Sequence, residues 1–243
     1  MTLKNWVLET LDQLASRVGL RVMRAVNCAS FDSSLAQLQA KGLEAKTVFD
    51  VGVATGTPEL YRVFPKACFH LIDPDPTNAA RLQRLAGELR GTAHPVALGA
   101  TDGTTAFDVW DVASGSTMLK AVGPAPRAST ITVPLRRLDT LIANPLGPIL
   151  CKIDVQGAEL MVLQGAVGLF DKIDVFLVEV STLATLQDAP ELASIVDFMS
   201  THGYVVYDIA GLLRRPLDGA LAQLDLVFVR ADSPLRSDRR WST

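Results

Sequence analysis

The chain has 243 residues, of which 49% are hydrophobic, 20% charged and 6% aromatic, with a net charge of −3. That apolar share builds a sizeable core and excludes global disorder, while the acidic balance argues against a general binder of nucleic acid or of anionic membranes. Three widely spaced cysteines, Cys28, Cys68 and Cys151, offer neither a disulfide framework nor a CxxC metal ribbon, the pattern of a reduced, cytoplasmic protein.

Over residues 6–26 apolar side chains recur at helical spacing, and Glu9 and Asp12 interrupt them before any signal-peptide stretch matures. No run of about 18 apolar residues occurs, so no membrane insertion is expected. A second short helix is expected over 33–41, stopping at Gly42. Thr47–Val51 is an apolar run entering a Gly-rich turn, which reads as a buried parallel strand. A helix over 58–64, a strand over Cys68–Ile72, a helix over 77–89 and a strand over 94–98 continue the alternation. Residues 99–145 interrupt it as an insertion of β-hairpin character, with strands over 104–112 and 129–135. A strand over 148–155, a helix over 158–170, a strand over 175–180 and a helix over 190–202 resume it. Two late strands, 204–209 and 224–230, follow without a crossover helix, so they form an antiparallel pair at one edge. The expected architecture is a mostly parallel α/β sheet with helices on both faces. One domain over 46–230 carries an N-terminal helical appendage over 1–45 and a loose polar tail over 231–243. The appendage is a candidate for covering a ligand, building a pocket or pairing two chains.

In such sheets ligands bind beyond the carboxyl ends of the strands. The first of these turns is Asp50-Val51-Gly52-Val53-Ala54-Thr55-Gly56-Thr57. Small residues at 52, 54 and 56 allow a tight turn and close approach of a ligand. Thr57 stands where a dinucleotide GxGxxG fingerprint needs a small residue, which disfavours a nicotinamide-dependent oxidoreductase. Asp73, 21 residues beyond Gly52, is placed to accept hydrogen bonds from both hydroxyls of a ribose. Asp75, in a Pro-flanked turn, reads as the cap of the helix that follows.

The run Cys151-Lys152-Ile153-Asp154-Val155-Gln156-Gly157-Ala158-Glu159 carries charge where a doubly buried strand should be apolar. Lys152 and Asp154 share one face of the sheet, Glu159 opens the next helix, and Glu179 ends the following strand. Burying charges is costly without partners, so the clustering marks a site. His70, His94 and His202 read as non-catalytic, with His94 at the start of its strand and so at the wrong end of the sheet. Ser116 and Thr117 read either as a plain loop or as donors to a polyol.

Lys152 to Leu160, followed by Leu163-Gln164-Gly165-Ala166, is similar to the K-I-D-V-E-G-x-E-x-x-x-L-x-G-A signature of FkbM-type methyltransferases. Asp50–Gly56, Val96-Ala97-Leu98-Gly99 with Asp102-Gly103, and Leu138-Asp139-Thr140-Leu141 fit the same family in the same order. The chain departs from it with Asp73 where a glutamate is usual and Gln156 at an acidic position. The resemblance implies a Rossmann-like class I fold with a seven-stranded sheet and S-adenosylmethionine as donor. It implies a donor set of Asp50, Gly52, Val53, Ala54, Thr55, Gly56, Asp73, Pro74, Leu98 and Asp154. The acceptor it implies, a small molecule or a glycan, is a hydroxyl of a sugar (free, nucleotide-linked, or within a glycolipid or polysaccharide) or of a related natural product. Because a sulfonium methyl is already activated, the protein's task is to align the acceptor and take its proton. Asp154 is the first candidate base, Glu159 and Glu179 rank behind it, and Lys152 balances their charge. A divalent cation on Asp154 and Glu179 stays open, without an HxH or DxD run to support it. The competing reading is a binding protein that has kept the adenosine pocket and lost catalysis, with Gln156 as its sign.

Overall fold

The computed structural model describes residues 3–19, 22, 29–110, 115–123 and 128–241. Helix α1 (Leu3–Ser16) ends earlier than the periodicity suggests, and part of the expected 6–26 stretch lies outside the described residues. Its apolar residues Val7, Leu11 and Leu14 stay exposed. Helix α2 (Phe31–Ala40) is capped by Ser30 and buries Leu35 and Leu38 in the same core as the central sheet. The segment before residue 46 is therefore of two kinds, and α2 belongs to the body of the domain.

The core alternation runs β1 (Thr47–Val51), α3 (Pro58–Val63), β2 (Cys68–Ile72), α4 (Ala79–Glu88) and β3 (Thr92–His94). The expected 94–98 strand is split. Pro95 cannot donate to the ladder, so β3 stops at His94 in the main sheet, and β4 (Ala97–Leu98) joins a second sheet. His94 consequently ends its strand, at the ligand-side edge, rather than starting it. The insertion forms the expected hairpin, β5 (Gly103–Trp110) against β6 (Ala128–Arg136), with β4 parallel to β6. Then come α5 (Leu138–Leu141), β7 (Ile149–Ile153), α6 (Glu159–Gln164), β8 (Val175–Ser181) and α7 (Leu192–Thr201). The 158–170 helix breaks at Gly165, where a Cβ would lie 2.0 Å from the Gly99 carbonyl oxygen. Strands β9 (Tyr204–Arg214) and β10 (Leu221–Arg230) close the chain as a longer hairpin than expected. In the tail, a 3-10 turn at Pro234–Arg236 lets Leu235 pack on the core.

The main sheet has seven strands in the order β3-β2-β1-β7-β8-β10-β9. β3 to β8 are parallel, and β10 runs antiparallel to both neighbours. This is the seven-stranded, mostly parallel sheet that the resemblance implies. Side chains alternate between two apolar clusters, one on each face. Phe49, Cys151, Phe176 and Val178 pack with α6 and α7, while Val48, Leu150, Leu177 and Val227 pack with α2, α3 and α4. By the same alternation Asp50, Lys152, Glu179 and Asp225 all belong to the second face, near its ligand-side end. No described helix is long and apolar enough to cross a membrane.

Candidate functional site

Two cavities open at the carboxyl ends of β1, β2 and β7, and they share Gly52, Ala54 and Asp154 as a common wall. The first is lined by Ile72, Asp73, Pro74 and Asp75 on one side and by Val96, Leu98, Phe107 and Met118 on the other. The second is a groove of about 590 Å³ beneath the start of α2, floored by Lys152, Asp154, Glu179, Gln223 and Asp225.

The wall is made by backbone that few residues tolerate. Gly52 has φ +78°, and a Cβ there would sit 1.7 Å from the carbonyl oxygen of Asp154. Ala54, at φ +43°, is held in the left-handed region by its N–H, which donates to Asp73 Oδ2 at 2.6 Å. Lys152 pins the turn from below, donating to the Gly52 carbonyl at 2.9 Å and ion-pairing with Asp50 and Asp154, each at 3.4 Å. Burial pulls the Lys152 ammonium down, but Asp154 and Asp50 outweigh it and raise its pKa. Asp50 is fully buried and accepts from Tyr61 Oη at 2.6 Å and Thr57 Oγ1 at 3.2 Å. It faces neither cavity, so its part is to anchor the turn. Val53, Thr55 and Gly56 line the groove, whereas Pro74 and Leu98 line the first cavity.

Asp73 accepts the N–H groups of Ala54 and Asp75 and keeps further lone pairs toward the cavity. Burial raises its pKa, and those two N–H donors oppose the shift. Asp75 does cap the following turn, accepting from Thr77, and it also receives the Ser116 hydroxyl at 3.0 Å. Thr117 Oγ1 donates to the Gln156 carbonyl at 2.7 Å. Both hydroxyls thus tie the insertion to the site.

The three carboxylates expected together do not all meet. Glu159 turns back and accepts the N–H groups of Val155 and Gly157 at 3.2 and 3.0 Å, bracing the β7–α6 turn away from both cavities. Burial pushes its pKa up to about 7. Asp154 and Glu179 are brought together by Gln156, whose Nε2 donates to one at 2.9 Å and to the other at 3.1 Å. The residue that departs from the family signature therefore supplies a neutral donor between two acids. It stands between Asp154 and Glu179, and the described residues gather no group of three metal-ligating side chains.

Asp225 escaped the sequence reading. It sits directly opposite Glu179 in the β8–β10 ladder, where like charges destabilise each other. Burial, then Asp154, Glu159 and Asp225, push Glu179 up to about 9, while burial and Asp154 push Asp225 up to about 6. The signal existed: Asp225 is a lone charge inside the apolar run Leu224-Asp225-Leu226-Val227-Phe228-Val229. His70 and His94 hydrogen-bond each other at 3.0 Å outside both cavities, and His202 accepts or donates only at the end of α7.

The Glu179 shift has a measurable consequence. Its native carboxyl holds a proton that the unfolded chain releases, so stability falls as pH rises from near 4.5 toward 9. In chemical denaturation, Glu179→Gln should gain stability over the wild type progressively across that window, by at most about 1.4 kcal/mol per pH unit. Equal curves at pH 5 and pH 8.5 would refute the buried, protonated carboxyl.

The profile of the methyltransferase FkbM domain matches residues 50–206. The chain belongs to the FkbM methyltransferase family. It is an S-adenosylmethionine-dependent methyltransferase by that membership. Among curated proteins none matches the sequence. Of solved structures, the chain is similar to precorrin-6y C5,15-methyltransferase from Geobacter metallireducens GS-15, at 11% identity, covering 82% of this chain and 87% of that one, with a TM-score of 0.44. It is similar also to magnesium protoporphyrin IX methyltransferase from Synechocystis PCC 6803 with bound SAM, at 14% identity over 95% and 98% of the two chains, TM-score 0.43.

The first cavity of this FkbM methyltransferase fits the donor's adenosine half in its chemistry. Asp73 offers a carboxylate to a ribose diol, and Ile72, Val96, Leu98, Phe107 and Met118 offer an apolar slot to a base. Charge-assisted hydrogen bonds are worth about 1.5–3 kcal/mol. Asp73→Ala should accordingly weaken S-adenosylhomocysteine by roughly 10- to 100-fold, read by calorimetric titration. An unchanged affinity would remove Asp73 from the donor site.

Proposed function

We propose that the chain transfers the methyl group of S-adenosylmethionine to a hydroxyl of a sugar or related natural product, with Asp154 as the base. One observation carries this reading. Asp154 lines both cavities, and its side chain is 32% exposed while the charges beneath it are buried. The donor half is held by Asp73, Gly52, Ala54, Pro74 and Leu98 in the first cavity. When bound, the donor supplies a methyl group on a sulfonium, a good leaving group needing no further activation.

The chain's own residues do the remaining work. A hydroxyl presented in the groove meets the carboxylate of Asp154, which takes the proton as the oxygen attacks. Lys152 holds that carboxylate in place through its 3.4 Å ion pair, and Gln156 fixes its rotamer. Glu179, with its raised pKa, serves as a hydrogen-bond donor at neutral pH rather than as a second base.

The test is transfer from methyl-labelled S-adenosylmethionine to a panel of methyl glycosides and polyols, with the product bond assigned by NMR. A methyl ether formed only with Asp154 intact supports the reading. Methyl found on nitrogen or carbon, with the donor bound normally, would replace O-methylation while leaving the methyltransferase family untouched.

A further inference from the structure

The groove is acidic to an unusual degree for a site that must admit a second substrate. Asp32, Glu59, Asp154, Glu179 and Asp225 line it. Among the described lining residues the only cation is Lys152, and its donors are committed to the Gly52 carbonyl, Asp50 and Asp154. Asp32, at the rim, is tied to Arg62. Two amides, Gln156 and Gln223, donate to Glu179 Oε2, so these donors too are turned toward the floor.

Consider what an anionic acceptor would meet there. A phosphate or carboxylate must leave water, which is costly without a cation or a set of free N–H groups. It would instead face the carboxylates of Asp154, Asp225 and Glu59 in a partly desolvated groove, where like charges repel more than in water. A neutral polyol faces no such cost, since carboxylates accept hydrogen bonds from hydroxyls in any number their lone pairs allow. Like-charge juxtaposition is how binding sites reject wrong partners.

We infer that the groove selects its acceptor by charge, admitting a polyol that carries no phosphate or carboxylate near the reacting hydroxyl, with Asp225 and Glu59 as the specificity-determining charges. This rests on the methyltransferase reading and narrows it: nucleotide-linked sugars, sugar phosphates and uronic acids are excluded, whereas free or glycosidically linked neutral sugars are retained.

The experiment uses the full chain saturated with S-adenosylhomocysteine, and uridine diphosphate as the probe of a nucleotide-linked acceptor. Failure of S-adenosylhomocysteine to bind would sink the donor reading and this inference with it. With the donor product bound, the wild type should show no saturable uridine diphosphate binding into the millimolar range. Asp225→Lys, which reverses one charge on the floor, should bind it at least tenfold more tightly while keeping its S-adenosylhomocysteine affinity. Saturable binding by the wild type overturns the inference, as does a folded Asp225→Lys that gains nothing. Should that variant fail to fold, Glu59→Lys at the groove wall replaces it, with a gain of at least threefold expected and no gain again counting against. Turnover gives a second reading. Methyl glycosides should be methylated at least a hundredfold faster than their 6-phosphates, and a phosphate turned over as fast as its neutral partner would refute the charge filter.

Discussion

Asp154→Asn is expected to lower kcat by roughly 10²- to 10⁴-fold, the usual worth of a general base, and to leave S-adenosylhomocysteine affinity within about threefold of the wild type. The substitution is close to isosteric. An asparagine oxygen still accepts from Lys152 or from Gln156, which now donate at 3.4 and 2.9 Å, so the turn keeps its shape. What disappears is the capacity to take a proton. The experiment compares kcat, KM and donor-product affinity on one preparation. A loss confined to KM would make Asp154 an acceptor-binding group, and a large loss of donor affinity would make it part of the donor site alone. Lys152→Met separates the neighbouring role: removing the ammonium leaves Asp50 and Asp154 without their shared counter-charge, so both folding and turnover should suffer.

Gly52→Ala should be the most damaging single methyl in the molecule. The residue occupies φ +78°, which a side chain rarely tolerates, and the added Cβ would lie 1.7 Å from the Asp154 carbonyl oxygen and 2.7 Å from its carbon. Those atoms are backbone, held by the hydrogen bond from Asp154 N–H to the Val51 carbonyl at 3.0 Å. The neighbour has nowhere to go without unzipping the ends of β1 and β7. Backbone strain and overpacking together cost about 2–5 kcal/mol, measurable by urea denaturation. Donor-product affinity should fall with it, because Gly52 lines both cavities. A variant with wild-type stability and affinity would show that the wall yields, and with it the account of a rigid partition.

The central strands were legible because their sequence is nearly continuous apolar residue. β1 and β2 fall at the residues expected, each bounded by a turn whose small or Pro-flanked residues cannot extend the ladder. The 94–98 strand was not legible as two pieces, since His94-Pro95-Val96-Ala97-Leu98 reads as one run. Only the tertiary choice between two sheets, forced at Pro95, divides it. In the site, Lys152 and Asp154 announced themselves as charges in a buried strand. Glu159 gave the same signal and yet points elsewhere, because Gln156 at φ +53° and Gly157 at φ +94° reverse the chain between them. Asp225 needed long-range knowledge: its meaning comes from standing opposite Glu179 across a ladder that joins residues 46 positions apart.

A partition shared by two chambers has a thermodynamic consequence. If filling the first cavity stiffens or shifts the Gly52–Asp154 wall, the affinity of the groove changes by some factor. Linkage then requires that an acceptor alter donor affinity by that same factor. In that case the two substrates are not independent binding events. The contacts that hold the wall, Lys152 on the Gly52 carbonyl, Ala54 N–H on Asp73, Gln156 on Asp154 and Asp154 N–H on the Val51 carbonyl, are the ones through which such coupling would pass.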